Sequence, residues 1–373
     1  MNAGKAAAVI DPTDRVELGP FRVSRLCLGT MLMGGKTSAH EAHRMLDAFV
    51  DAGHNFIDTA DVYGDGAAES VLGQWLRRRR DEVIVTTKVR FPVSDPGGQG
   101  LSPDRIRAAC DASLRRLGSE TIDLYQVHAP DPAVPLEATL EALDALVTAG
   151  KVRALGVSNF PAWMLAWAVR AQDYEAWAPF VALQAQYSLV ERSAEVDLLP
   201  FTRSAGLAFM PWGPLGGGFL TGRLHRGEAP VDGSRLRDAP DQVEEALHRR
   251  ATEPNFRAAD TARDVAREFG ATVPQIAIAW LLHRPGVTSP VIGPRTAEQL
   301  EDLLPAASIR LTDDQLERLG RHTAPPPMYP QRMLAEQNGI DVERPLARPR
   351  FFSKTHPSGG APTPRSALAP RGG

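Results

Sequence analysis

The sequence predicts an α/β chain closed into a (β/α)8 TIM barrel, with an N-terminal β-hairpin before it and a C-terminal loop and tail after it. Three observations carry the prediction. Strand-like and helix-like runs alternate eight times along the chain, the order expected of parallel strands joined by crossover helices. The strand runs IDLYQV and VIVTT are continuously apolar or β-branched, as strands buried on both faces are. No GxGxxG follows the first strand, where an open dinucleotide-binding sheet requires one.

Taken in order, two short strands flank Gly19-Pro20 between Val16 and Thr30, and a third, buried one ends at Gly29-Thr30. Residues 38–52 read as a helix, with Ala42, Met45, Leu46, Phe49 and Val50 on one face. Strand 56–59 then precedes helix 69–79, strand 83–87 helix 103–117, and strand 122–127 helix 136–149. In the last of these, Leu136, Leu140, Leu143 and Val147 form a one-sided stripe suited to a barrel wall. The second half continues with strand 152–157, helix 161–171, strand 180–186, helix 195–205 and strand 207–211. Helices near 255–269 and 272–284, strand 288–292 and helix 297–304 complete the set. None of the helices offers an obvious exposed apolar stripe from which to read an oligomeric state.

Length and composition agree with one large domain. The chain has 373 residues, 43% of them hydrophobic and 23% charged, and barrels commonly take about 250 residues for one core. The expected organisation is a flexible N-terminus over 1–15, the barrel over 16–321, a loop over the barrel mouth at 322–345, and a tail at 346–373. Past residue 321 lie ten of the 31 prolines, and the last 28 residues carry five basic groups and no acid, so the tail is expected to be disordered. A net charge of −3 from mixed signs gives no field for nucleic acid or an anionic membrane. Cys27 and Cys110 form no CxxC pair, and no histidine cluster has metal-ligand spacing, so neither a disulfide framework nor a metal is expected and a reducing cytoplasm is the natural setting. The N-terminus shows no signal-like apolar region and no 18-residue apolar run occurs.

Chemistry in such a barrel sits at the C-terminal ends of the strands. Asp58 ends one strand and Tyr63 follows in its loop, while Lys88 and His128 end the next two. Adjacent parallel strands lie about 4.8 Å apart, so these groups can converge on one atom. Each alone is as readily a rim residue or a loop cap; together they form a set. A buried Lys requires a partner such as Asp58, and a Tyr beside Lys⁺ is expected to have its pKa lowered and to donate a proton near neutrality. A neutral His at the same point can orient a carbonyl. With no nucleophile–base pair and no metal ligands, the set suits carbonyl reduction by a cofactor's hydride.

At this point the chain resembles the aldo-keto reductase family from about Val16 to Arg321, on eight motifs in the family's order. These are LGTM at 28–31, DTADVYG at 58–64, TTK at 86–88, DLYQVH at 123–128, GVSNF at 156–160, QAQYSL at 184–189, PWGPLGGGFLTG at 211–222 and VIGPRTAEQLEDL at 291–303. The resemblance implies that Tyr63 is the general acid, Lys88 paired with Asp58 assists it, and His128 positions the carbonyl. It also implies an extended NADPH. Gly29, Thr30, Met31 and Asp58 would border the nicotinamide end, Ser158, Asn159 and Gln184 would hold the carboxamide, and Trp212 would stack on the ring. Gly213, Pro214, Leu215 and Gly217 would follow the pyrophosphate.

At the far end, Thr296 and Gln299 have the T-x-x-Q spacing of a capping box, which starts a helix just after Arg295. That helix end is expected to attract anions, with Arg295 on the 2′-phosphate, Gln299 and Asp302 near adenine, and Gly293 beside them. Met31, Met33, Phe91, Trp212, Met328 and Tyr329 are the expected walls of an apolar substrate pocket. The expected function is NADPH-dependent reduction of an aldehyde or ketone. Alternatives are an NADPH-binding redox-sensing subunit, an aryl- or sugar-alcohol dehydrogenase, or a reductase of keto-sugars or natural products.

Overall fold

Local signals in the sequence start and stop most of the elements. The structure, a computed structural model, describes residues 14–94, 98–232, 234–238, 241 and 243–339. The tail at 346–373, the end of the 322–345 loop and most of the N-terminal segment lie outside them. A hairpin of β1 (Arg15–Leu18) and β2 (Phe21–Ser24) precedes β3 (Cys27–Gly29), α1 (Ala39–Asp51), β4 (Phe56–Asp58), α2 (Ala67–Arg79), β5 (Ile84–Val89) and α3 (Pro103–Leu117). Then follow β6 (Ile122–Val127), α4 (Leu136–Thr148), β7 (Val152–Ser158), α5 (Ala162–Glu175), β8 (Phe180–Gln186), α6 (Leu198–Ala205) and β9 (Ala208–Trp212). The remainder comprises α7 (Arg235–Asp238), α8 (Leu247–Arg250), α9 (Glu253–Phe269), α10 (Val273–Leu282), β10 (Val291–Ile292), α11 (Ala297–Leu303), α12 (Asp313–Gly320) and α13 (Gln331–Asn338).

Eight strands pair in the order β10-β3-β4-β5-β6-β7-β8-β9, every pair parallel. Beyond β9, a single bridge from Phe209 to Val287 and a hydrogen bond from Thr288 N to Phe209 O nearly close the ring. Gly29 sits at the joint between β3 and β10, where a Cβ would lie 2.9 Å from Val291 Cγ1 and 3.2 Å from Ile292 O. Only glycine allows that approach.

Two apolar clusters follow from this topology. Between sheet and helices lies the larger one, to which α4 contributes Leu140, Leu143 and Leu146, each worth roughly 1.5–3 kcal/mol of burial. Inside the barrel, Cys27, Phe56, Leu124, Ala154, Ala182, Ala208 and Met210 pack with Leu18, Phe21 and Val23 of the hairpin. The hairpin thus plugs the N-terminal end of the barrel. The opposite end is where the strand-terminal polar groups emerge.

Two expectations need correction, and one stretch carried none. Residues 313–320 and 331–338 are helical, the first started by a reciprocal Thr312–Gln315 capping box that was present in the sequence as T-x-x-Q. The long stretch after Gly222 holds only two four-residue helices before α9. Helix α5 does carry an exposed apolar stripe: Trp163, Trp167 and Tyr174 are 62%, 56% and 75% exposed, while Leu165 and Ala168 are buried. Apolar residues on opposite faces of one helix cancel the one-sided periodicity that would announce either face.

His54, between α1 and β4, is buried and stacks on Phe49 with ring centroids 4.8 Å apart. Burial, with Arg15 adding to it, pushes its pKa down to about 4. Above the unfolded value near 6.5 both states are neutral. As pH falls below it the unfolded chain takes up a proton that the folded chain refuses, so stability drains between pH 6.5 and about 4, by about 3 kcal/mol in full. A His54→Phe variant should lose less stability between pH 7 and pH 4.5 than the parent in parallel urea titrations; equal losses would refute this.

Candidate active site

Strand register brings the polar strand ends together. Gly29 pairs with Asp58, Asp58 with Thr86, and Lys88 with Gln126, so Lys88 stands two residues beyond the partner of Asp58, on the same face of the sheet and about 7 Å further along. The chain after β4 keeps bonding to β5, with Thr59 N donating to Thr86 O and Asp61 N to Lys88 O. This brings the following turn, and Tyr63 with it, back over Lys88.

Lys88 is fully buried and satisfies its three protons: Nζ donates to Asp58 Oδ2 at 2.6 Å, to Thr59 O at 2.9 Å and to the Tyr63 hydroxyl at 3.3 Å. Burial pushes its pKa down, but Asp58 and then Tyr63 outweigh that and leave it raised, so it is a permanent cation. Tyr63 departs from expectation. Its pKa is raised, because burial of the phenol outweighs Lys88, whose charge Asp58 already balances. The phenol therefore stays protonated at neutral pH, which is the form a proton donor needs. His128 meets the Tyr63 ring edge-on, centroids 5.8 Å apart, and Phe91 at 4.7 Å. Burial, with Lys88 and Arg90 adding to it, holds His128 well below its usual pKa. It is a neutral imidazole.

Behind Tyr63 two arginines of α3 reach buried acids that the sequence reading did not single out. Arg105 Nη2 donates to Asp61 at 2.9 Å, and Arg116 Nε to Glu69 at 2.7 Å. Glu69 also accepts from the Thr87 hydroxyl, next to Lys88, at 2.5 Å. Both ends of the Tyr63 turn are thereby tied to α3.

A cavity of about 710 Å³ opens over this group and runs across the barrel mouth, within the size range of small-molecule sites. It is lined by Gly29, Met31, Asp58, Tyr63, His128, Ser158, Asn159, Gln184, Trp212, Gly213, Pro214, Leu215, Gly217, Gly293, Arg295, Gln299 and Asp302 among others. Lys88 and Thr30 lie beneath it, fully buried. The expected substrate walls fare differently. Met33 is buried in the larger core, because the turn fixed by Met33 N to Thr30 O and Thr37 N to Leu32 O gives its place in the cavity to Leu32. Phe91 packs beside His128, outside the lining. Met328 and Tyr329 are 53% and 75% exposed and are not among the lining residues.

The donors and acceptors present fit a primary carboxamide. Gln184 Nε2 donates to Asp58 Oδ1 at 2.8 Å, which leaves its carbonyl oxygen to accept from an amide. The Ser158 hydroxyl accepts from Asn159 Nδ2 at 3.0 Å, which leaves its own proton to donate to an amide oxygen. Asn159 has φ 57°, a left-handed conformation that Asn tolerates better than most residues. It is held there by its bond to His128 O at 3.0 Å and by the Trp212 indole N–H on its Oδ1 at 2.9 Å.

Farther along, the glycine turn after Trp212 holds a carboxylate. A Cβ on Gly217, at φ 70°, would meet Glu245 Cβ at 2.9 Å, and Glu245 is paired with Arg235 at 2.5 Å. Neither residue was anticipated; the signal was a segment of about 30 residues without long elements, a length that compact domains rarely give to an idle loop. At α11, Thr296 caps Gln299 N as expected, but Gln299 Oε1 accepts from Arg295 N, not from Thr296. The Ala297 amide donates to Glu41 Oε1 at 2.6 Å, so the protein's own acid occupies that helix end. Asp302 accepts from Gln275 and Thr272 of the α10 cap.

Among the described residues no helix is long and apolar enough to cross a membrane, and no group of three or more His, Cys, Asp and Glu side chains is placed to hold a metal. A family model described as the aldo/keto reductase family matches residues 25–324. An uncharacterized oxidoreductase YrpG of Bacillus subtilis is 39% identical over 311 residues, 80% of this chain and 92% of its own. A norsolorinic acid reductase stcV of Emericella nidulans is 33% identical, covering 80% of this chain and 78% of its own. A probable voltage-gated potassium channel subunit beta of Oryza sativa is 32% identical over 78% of this chain and 89% of its own.

Proposed function

Since the chain belongs to the aldo/keto reductase family of oxidoreductases, we propose that it reduces an aldehyde or ketone to the alcohol with NADPH, Tyr63 acting as the proton donor. The observation that carries this reading is the hydrogen-bonded group of Asp58, Lys88 and Tyr63 at the floor of a cavity that His128 also faces. A bound nicotinamide supplies the hydride. Ser158 and Gln184 would hold its carboxamide and Trp212 would cover its ring, on the cavity floor that Tyr63 also faces. Neutral His128 orients the carbonyl oxygen towards the phenol. Tyr63 gives its proton to that oxygen as negative charge builds on it, and the adjacent Lys88 cation stabilises the phenolate left behind.

The preference for NADPH rests on Arg295, which borders the far end of the cavity. A charge-assisted bond to a 2′-phosphate is worth about 1.5–3 kcal/mol, so Arg295→Leu should raise KM for NADPH by roughly 10- to 100-fold and leave KM for NADH nearly unchanged. Equal effects on both cofactors would remove Arg295 from this role. The reaction itself is tested by following NADPH consumption across aldehydes, ketones and keto-sugars, repeated with NADH. Tight NADPH binding with no turnover on any of them would overturn the reductase reading in favour of a regulatory role; the rice relative carries the name of a channel subunit and not of an enzyme.

A further inference from the structure

The exposed aromatic residues of α5 lie at positions 163, 167 and 174, and position 170 of the same row is Arg170. These are the i, i+4, i+7, i+11 spacings of a single helix face. The opposite face, with Leu165, Ala168 and Gln172, is already buried against the barrel wall. Of the eight large hydrophobic side chains exposed among the described residues, three belong to this one helix. Scattered exposed apolar residues require no explanation, but an ordered row of them marks a contact surface.

We infer that this face of α5 is the contact surface of a homodimer, in which two copies of the helix pack antiparallel about a two-fold axis passing between residues 168 and 169. The row is self-complementary in that arrangement. An isologous contact must place a surface against itself, and about this axis position 163 faces 174 while 167 faces 170. Trp163 then meets the other copy's tyrosine, and Trp167 meets its arginine. A guanidinium over an indole face is favourable, and Arg170 keeps its bond to Asp173 at 2.9 Å, so no unbalanced charge is buried. Arg170 already lies over the Tyr174 ring at 6.0 Å, which orders the row before contact. With about 200 Å² for a whole aromatic side chain, the exposed parts of these three alone offer about 400 Å² per copy. That is about half of what a standard interface takes from each partner.

The full-length protein should sediment as a dimer at roughly 100 μM, well above a micromolar dissociation constant. Trp163→Glu with Trp167→Glu should weaken association by at least roughly 100-fold, as removal of two central tryptophans does, with urea stability unchanged at dilutions where the parent is also monomeric, because both side chains are more than half exposed. A chain carrying both Trp163→Cys and Tyr174→Cys should form an inter-chain disulfide on mild oxidation. The Trp163→Cys chain alone should not, since Cys27 and Cys110 are buried. A monomer at this concentration overturns the proposal, as does a dimer indifferent to the two glutamates. So does a monomer whose tryptophans become accessible to quencher only after deletion of residues 340–373, which would assign the row to the chain's own tail.

Discussion

Tyr63→Phe should lower turnover by at least about 100-fold, the smallest loss typical of a missing general acid, while NADPH binds as before. The two effects separate because the phenol oxygen touches Lys88, whereas the proposed carboxamide contacts come from Ser158 and Gln184 on β7 and β8. Phenylalanine keeps the ring that meets His128 edge-on and removes only the group that carries the proton. Stopped-flow reduction on the variant isolates the chemical step, and quenching of protein fluorescence reports the cofactor. Because the phenol pKa is raised, the parent's activity should hold across neutral pH. Turnover within tenfold of the parent would take the proton-donor role from Tyr63.

Asp58→Leu should destabilise the fold by about 3–5 kcal/mol, the usual consequence of leaving one member of a buried ion pair alone. Lys88 is fully buried and, among the described residues, Asp58 is the one acid paired with it, and Gln184 would lose its acceptor as well. Adding Lys88→Met should restore most of the lost stability, since two apolar groups of similar volume can replace a buried pair at little cost. The double variant should nevertheless remain inactive, for it has no cation to support a phenolate. Urea titration of the parent, both single variants and the double variant gives the coupling directly. A single-variant loss under about 1 kcal/mol would mean that the pair is not energetically linked.

The catalytic candidates were legible because strand ends obey a fixed geometry. Once IDLYQV and VIVTT are strands, Lys88 and His128 can only emerge at the barrel's open end, and pairing with β5 brings Tyr63 back to Lys88. Side chains on turns obey no such period. Met33 and Leu32 exchange places according to how the 30–37 turn bonds to itself, which neighbouring residue types do not fix. Arg235, opening the four-residue α7, and Glu245, in the turns before α8, stand ten residues apart and pair where Glu245 lies against the glycine turn, a meeting that no sequence period announces. The capping signal at Thr296 read true for its first half; its second half went to Arg295, one residue outside the motif.

The near-closure of the sheet has a mechanical side. β10 pairs with β3 through only two residue pairs, and one bridge beyond it reaches β9. The hoop therefore has one thin link, and local opening takes the route that breaks the fewest bonds. The cavity crosses that link: Gly29, Val291, Ile292 and Trp212, from both sides of it, share its lining. An extended molecule bound there would act as a staple across the gap, so that filling the site and fastening the hoop would become a single event.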